Sequence, residues 1–160
     1  WSENGIYSIG LRPYIIYGPG RDQGMTSTPT KAMLAAAVGR SYHISFGGTA
    51  VYHHASDAAA VFIQAARTKT EGAPVYNLGG NTASMREMVD AIDAAAPEMK
   101  GKITFEPVQL PNPTAVDDSA LNQTLGQRHW RPLAEGVQQT IELFRSATAA
   151  GKVDVDRILA

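Results

Sequence analysis

The chain has 160 residues, 44% of them hydrophobic, which suits one domain with a buried core. Its 14 Lys and Arg stand against 15 Asp and Glu, without the clustered basic charge that nucleic acid or an anionic membrane attracts. No apolar run approaches the ~20 residues of a membrane span, and a chain with no cysteine forms neither disulfides nor thiolate sites, which fits a cytoplasmic protein.

Tyr7 to Tyr17 is rich in β-branched and aromatic residues and reads as one strand of an α/β sheet. Gly18-Pro19-Gly20 ends it, because proline lacks a ladder donor and glycine takes positive φ. A loop leaving the carboxyl end of such a strand is where open α/β sheets hold ligands. The polar stretch Asp22 to Thr30 follows, with Thr28 expected as the N-cap of a helix from Pro29 to about Val38. Met33, Ala36 and Ala37 share one face of that helix, and Gly39 stops it. Tyr42 to Phe46 and Ala50 to His54 read as strands joined in a hairpin through Gly47-Gly48. Asp57, or Ser56 before it, is expected to cap a helix running to about Arg67, with Val61, Phe62 and Ala65 inward.

Pro74 to Leu78 is a compact apolar strand closed by Gly79-Gly80. The Ser-x-x-Glu spacing of Ser84 and Glu87 predicts a capping box, opening a helix whose stripe is Met88, Val89, Ile92 and Ala96. Ile103 to Phe105 reads as a strand, Gln109 to Pro113 as a proline-broken loop, and Leu133 to Ala149 as a helix repeating Val137, Ile141 and Phe144. Gly151 onward reads as a polar tail.

On residue type, Arg21 suits a carboxylate or phosphate, and the hydroxyls of Thr26, Ser27 and Thr28 suit an anion or a polyol. His53 and His54 are neighbours on a strand and so point to opposite faces, which argues against a shared metal ion. No Gly-x-Ser-x-Gly elbow is present to support a Ser/His/Asp hydrolase.

Four stretches occur together in one order: Leu11-Arg12-Pro13 with Tyr17-Gly18-Pro19-Gly20-Arg21; Tyr52-His53-His54-Ala55-Ser56-Asp57-Ala58-Ala59; Val75-Tyr76-Asn77-Leu78-Gly79; and Val116 to Leu125 with Gly126, Trp130, Pro132 and Leu133. This ordered set, covering Ile6 to about Phe144, resembles the extended short-chain dehydrogenases/reductases of the NAD-dependent epimerase/dehydratase group.

The resemblance implies an α/β fold, the carboxyl-terminal part of a Rossmann-like enzyme with a small substrate-binding α/β subdomain. Residues 1–150 would be the substrate-binding portion and 151–160 a tail. It implies NAD or NADP as cofactor, with Pro13 and Ile15 beside the nicotinamide, although on residue type alone both suit core packing. Tyr17, Arg21, Thr26, Ser27, Thr28 and His54 are the candidates to face a small-molecule substrate, no metal site is expected, and an unpaired apolar edge on the opening strand points to a homo-oligomer. The family's Gly-x-x-Gly-x-x-Gly fingerprint and Tyr-x-x-x-Lys pair are absent from these residues. With a first residue Trp1 rather than Met, the expectation is that both lie upstream and that this chain carries no catalytic residue and is inactive alone. The implied activity is that of an epimerase, dehydratase or dehydrogenase acting on a hydroxyl or carbonyl carbon, of a sugar or sugar acid; a non-catalytic NAD(P)-binding or sensor relative is the alternative.

Four departures from the group's pattern stand out, and two of them bear on the substrate. Ala50 stands where sugar-nucleotide epimerases of the group place a diphosphate-binding arginine, and Gln109 to Thr114 contains no second one. Each missing charge-assisted bond is worth roughly 1.5–3 kcal/mol, which counts against a nucleotide sugar. Ser56 also replaces a usual aspartate, and Ile15 a frequent asparagine.

Overall fold

The computed structural model describes residues 1–160. The opening segment is not one strand but two, β1 (Gly10–Arg12) and β2 (Ile15–Tyr17). Pro13 interrupts the ladder, and each half then takes its own parallel partner: β1 pairs with β5 (Val75–Asn77), β2 with β4 (Thr49–His54). In the second pair Ile15, Ile16 and Tyr17 lie opposite Tyr52, His53 and His54, so Tyr17 and His54 stand side by side where the two strands end.

The hairpin expected through Gly47-Gly48 does not form. β3 (Tyr42–Ile44) runs parallel to β7 (Ile103–Phe105), while β4 takes β6 (Asn81–Ser84) as an antiparallel partner on its other edge. The two glycines serve close approach instead: a Cβ on Gly47 would lie 2.3 Å from the Glu106 carbonyl, and one on Gly48 1.8 Å from Gln109 Oε1.

α1 (Thr28–Ala37) begins one residue earlier than expected, with Ser27 rather than Thr28 at the cap. A single 3-10 turn, Met25–Ser27, runs straight into it, so Ser27 already has helical dihedrals and its hydroxyl turns back to donate to Gly24 O at 2.8 Å. At the other end Arg40 N reaches Ala35 O and Gly39 N reaches Ala36 O, a Schellman closure that requires the positive φ of 76° at Gly39.

α2 (Ala55–Arg67) is capped by neither Asp57 nor Ser56 but by His54, whose ring accepts from Ser56 N. It buries Ala58, Val61 and Ala65, and turns Phe62 outward. α3 (Met85–Ala95) has the capping box its sequence predicts, with Glu87 N donating to Ser84 Oγ at 3.2 Å and Ser84 N to Glu87 Oε2 at 2.7 Å. α4 (Ser119–Leu125) and α5 (Leu133–Ala149) complete the main body. The residues expected as a polar tail include α6 (Val155–Leu159), where Asp154 accepts from Arg157 N at 3.1 Å and Val153, Val155, Ile158 and Leu159 pack on the core.

Apolar side chains divide between two clusters. The larger gathers 21 buried residues, most of them from β2, β4, α1, α3 and α5, with Ile44 of β3, Ala83 of β6 and Ile103 of β7 among the rest. The smaller joins Ala58, Val61 and Ala65 to Leu78, Leu121 and Leu125. Strands β2 and β4 lie between them, covered on both faces as parallel strands require. No helix is long and apolar enough to cross a membrane.

Candidate functional site

At the strand ends, the Tyr17 and His54 rings meet edge to face with centroids 5.4 Å apart. His54 Nδ1 lies 3.0 Å from Arg131 Nη1 and 2.8 Å from Ser56 Oγ. A guanidinium only donates, so Nδ1 accepts and the ring proton resides on Nε2, which faces Thr140 Oγ1 at 3.4 Å. Thr140 in turn donates to Gly136 O at 2.7 Å. Burial first, then the Arg131 charge, pushes the His54 pKa below its ordinary value, with Asp57 opposing. The imidazole is therefore neutral and acts as a junction between β4 and α5.

Arg131 is the hub of this arrangement. Nη2 pairs with Asp57 Oδ1 at 3.0 Å, Nη1 also reaches Gln139 Oε1 at 2.8 Å, and its backbone N–H donates to Asp57 Oδ2 at 3.3 Å. Asn81 Nδ2 donates to the Arg131 carbonyl at 2.6 Å. The residue thereby ties the segment after α4 to α2, β4 and β6 together. Tyr17 is wholly buried, and its hydroxyl has no hydrogen-bond partner. Burial, then Asp57, pushes its phenol above the ordinary range, so it stays protonated. A Cβ on Gly136 would lie 2.1 Å from that hydroxyl, which explains a glycine inside α5. Beside these groups opens a cleft of about 480 Å³, lined by Pro19, His54, Ser56, Arg131, Gln139 and Leu143 among others.

The loop expected to face substrate is internally bonded. Gly18 N donates to Thr30 Oγ1 at 3.1 Å, and Arg21 N to Gly18 O at 3.2 Å. The Arg21 guanidinium folds back onto Gln23 O and onto Thr26 Oγ1, the latter at 3.0 Å. Gly24, at φ 86°, lies against it. Arg21 and Thr26 are thus brought together, Ser27 is buried, and Thr28 Oγ1 lies 3.5 Å from Ser45 Oγ. None of these four hydrogen-bonds to His54; Tyr17, Gly18 and Pro19 are the loop residues that lie beside it.

Of the two cofactor-facing candidates, Ile15 is 1% exposed inside the larger core and has no open face. Pro13 is half-buried at the break between β1 and β2. His53 points away from His54, as strand alternation requires, against Gly80 and the Trp130 ring.

Asp57 was legible only as a helix cap, whereas here it is Arg131's partner across 74 residues of sequence. No spacing rule reaches that far. Thr140 and Gly136 were hidden inside an ordinary amphipathic pattern; the one signal was a glycine within a helix. A last feature lies at the far end of β4. Gln109 Oε1 accepts from Thr49 N at 2.7 Å and its Nε2 donates to Thr49 O at 2.9 Å, pairing with the strand as another backbone would.

No family model matches the sequence, and no curated protein does. Solved structures do. UDP-glucose 4-epimerase from Thermotoga maritima superposes with a TM-score of 0.73 at 21% identity, over 92% of this chain and 48% of that one. UDP-N-acetylglucosamine 4-epimerase from Methanobrevibacter ruminantium gives 0.73 at 16% identity, over 91% and 48%. dTDP-glucose 4,6-dehydratase from Bacillus anthracis, solved in complex with NAD, gives 0.71 at 19%, over 88% and 45%. The chain spans about half the length of these structures. With its parallel pairings and strand-end loop, it therefore has the α/β fold seen in about half of each of these sugar-nucleotide epimerases and dehydratases.

Proposed function

We propose that the chain is the substrate-side portion of an NAD(P)-dependent epimerase, dehydratase or dehydrogenase acting on a hydroxyl or carbonyl carbon of a sugar or sugar acid. The observation that carries this reading is the superposition over 92% of the chain on a sugar-nucleotide epimerase. The loop from Tyr17 to Thr28, leaving the carboxyl end of β2, is the substrate-selecting element, and Arg21 is its charged donor once it swings off Gln23 and Thr26. NAD or NADP would supply the hydride chemistry, held mainly by polypeptide outside these residues. Pro13 is the half-buried residue fitted to touch it, whereas the enclosed Ile15 is not.

A nucleotide diphosphate is disfavoured as part of the substrate. Ala50 offers no donor, and Gln109 spends its amide on Thr49 where an arginine would have to reach out. The cysteine-free composition accords with a cytoplasmic protein, and a homo-oligomer is the assembly we assign to the whole protein.

Titrating NAD against this chain and against the full-length protein tests the proposal. Binding by the longer protein with none by this chain is expected. Tight binding by this chain alone refutes the division of labour.

A further inference from the structure

The segment following α5 packs back against the loop after β2. Lys152 to Ile158 forms one wall of a cleft of about 220 Å³ whose opposite wall is Pro19, Gly20 and Asp22, the first part of the loop after β2. The cleft floor is apolar, made by Leu34 of α1 and by Leu143, Phe144 and Ala147 of α5. Val153, Val155, Ile158 and Leu159 seat the segment on the larger core, Asp154 caps α6, and Arg40 Nη1 anchors Asp156 at 2.7 Å. Across the cleft Arg157 Nη2 lies 3.4 Å from Asp22 Oδ2, a link over 135 residues and the one ion pair between the segment and the loop. Asp22 is the immediate neighbour of Arg21, whose own guanidinium is bonded within the loop, to Gln23 and Thr26.

We infer that residues 152–160 are a strap that fixes the loop Gly18–Ser27, and that Arg157 is a positioning residue for Arg21, acting through Asp22. The chemistry is a division of roles between adjacent residues: the strap holds Asp22, which fixes the backbone from which Arg21 either folds onto its own loop or extends to a ligand. Apolar seating places the strap, and the ion pair selects which loop conformation it stabilises. The loop's role toward substrate rests on the function proposed above, whereas its ordering by Arg157 does not.

Amide hydrogen exchange on this chain tests the inference without any ligand. The reporters are Gly18, Arg21 and Ser27, whose amides are bonded within or beside the loop. Arg157→Ala is expected to speed their exchange about two- to fivefold, the range of an exposed pair, and Arg157→Lys to restore most of the protection. Removal of residues 152–160 is expected to speed it at least about tenfold, because the apolar seat goes as well. Amides of β4 and α3 should hold their rates in the point variants. Unchanged loop exchange in both Arg157→Ala and the truncated chain overturns the inference. So does an equal rise across loop, β4 and α3 in Arg157→Ala, since that is general destabilisation and not positioning. Failure here leaves the NAD titration unaffected, so the two readings fall separately.

Discussion

His53 offers the sharpest quantitative test of the packing between β4 and its neighbours. Its side chain has 0% exposure, and neither ring nitrogen has a hydrogen-bond partner. It is wedged against Gly80, where a Cβ would come within 2.9 Å of the ring, and against Trp130 at 5.4 Å between centroids. Burial lowers its pKa from 6.5 to about 4, with Asp57 opposing weakly. A histidine whose folded pKa lies below its unfolded value binds protons preferentially in the unfolded state. Stability is thus unaffected above pH 6.5 and is lost progressively as the pH falls toward 4. Between pH 7.5 and 4.5 the loss from this one residue is about 2.5 kcal/mol, at 1.36 kcal/mol per unit of pKa difference. Urea unfolding of the parent chain and of His53→Leu at both pH values isolates it. The leucine leaves a cavity cost that is the same at each pH, and the lowered pKa of His54 is common to both proteins. The parent should lose about 2.5 kcal/mol more than the variant on acidification. Equal losses in the two proteins would refute the claim that His53 is held neutral by burial.

The junction at Arg131 makes a second prediction. Arg131→Met strands a carboxylate that is only 18% exposed, and is expected to cost about 2 kcal/mol, less than the 3–5 of a fully buried pair; Asp57→Asn added to it should recover part of the loss in a double-mutant cycle. Gly136→Ala drives a methyl into the Tyr17 hydroxyl and should destabilise by about 1–3 kcal/mol, whereas Tyr17→Phe, which removes an unpartnered polar atom, should be near neutral and should recover part of the Gly136→Ala loss in thermal denaturation, the ring carbon beneath still lying close. Ser84→Ala breaks the capping box of α3 and is expected to cost about 1 kcal/mol in urea midpoint analysis, and no loss would mean that α3 is held by packing alone.

What could be read in advance follows from the range of each interaction. α3 and α5 were legible because the Ser84–Glu87 box and the spacing of Val137, Ile141 and Phe144 are local patterns that tertiary packing then obeyed. β5 and β7 were legible as short apolar runs between breakers. Gly47-Gly48 misled because a glycine pair signals either a turn or a close approach, and the atoms that decide, Glu106 O and Gln109 Oε1, lie about 60 residues on. β6 was missed because Asn81-Thr82-Ala83-Ser84 is polar and has no apolar alternation; its place is set by the edge of β4 that receives it. His54 was assigned to the pocket but not to the cap, since histidine is an uncommon N-cap and its ring is held there by Arg131 from 77 residues away.

The break at Pro13 has a consequence for how a cofactor could meet this fold. An unbroken strand from Tyr7 to Tyr17 would have presented Pro13 and Ile15 on one wall, but the break sends Ile15 into the 21-residue core and leaves Pro13 at the joint. The β1 side rests on the six-residue cluster, and around it Ile6, Tyr7, Phe62, Ile63 and Val75 all expose large apolar side chains. Parallel strands are stable when both faces are covered, a condition met at β2 and β4 and not at β1 and β5. The loop after β2 therefore springs from the well-packed half, while the exposed apolar side chains lie on the other. The same proline that ends the ladder separates the two, which places a rigid loop and an open face at opposite ends of a single eight-residue segment, Gly10 to Tyr17.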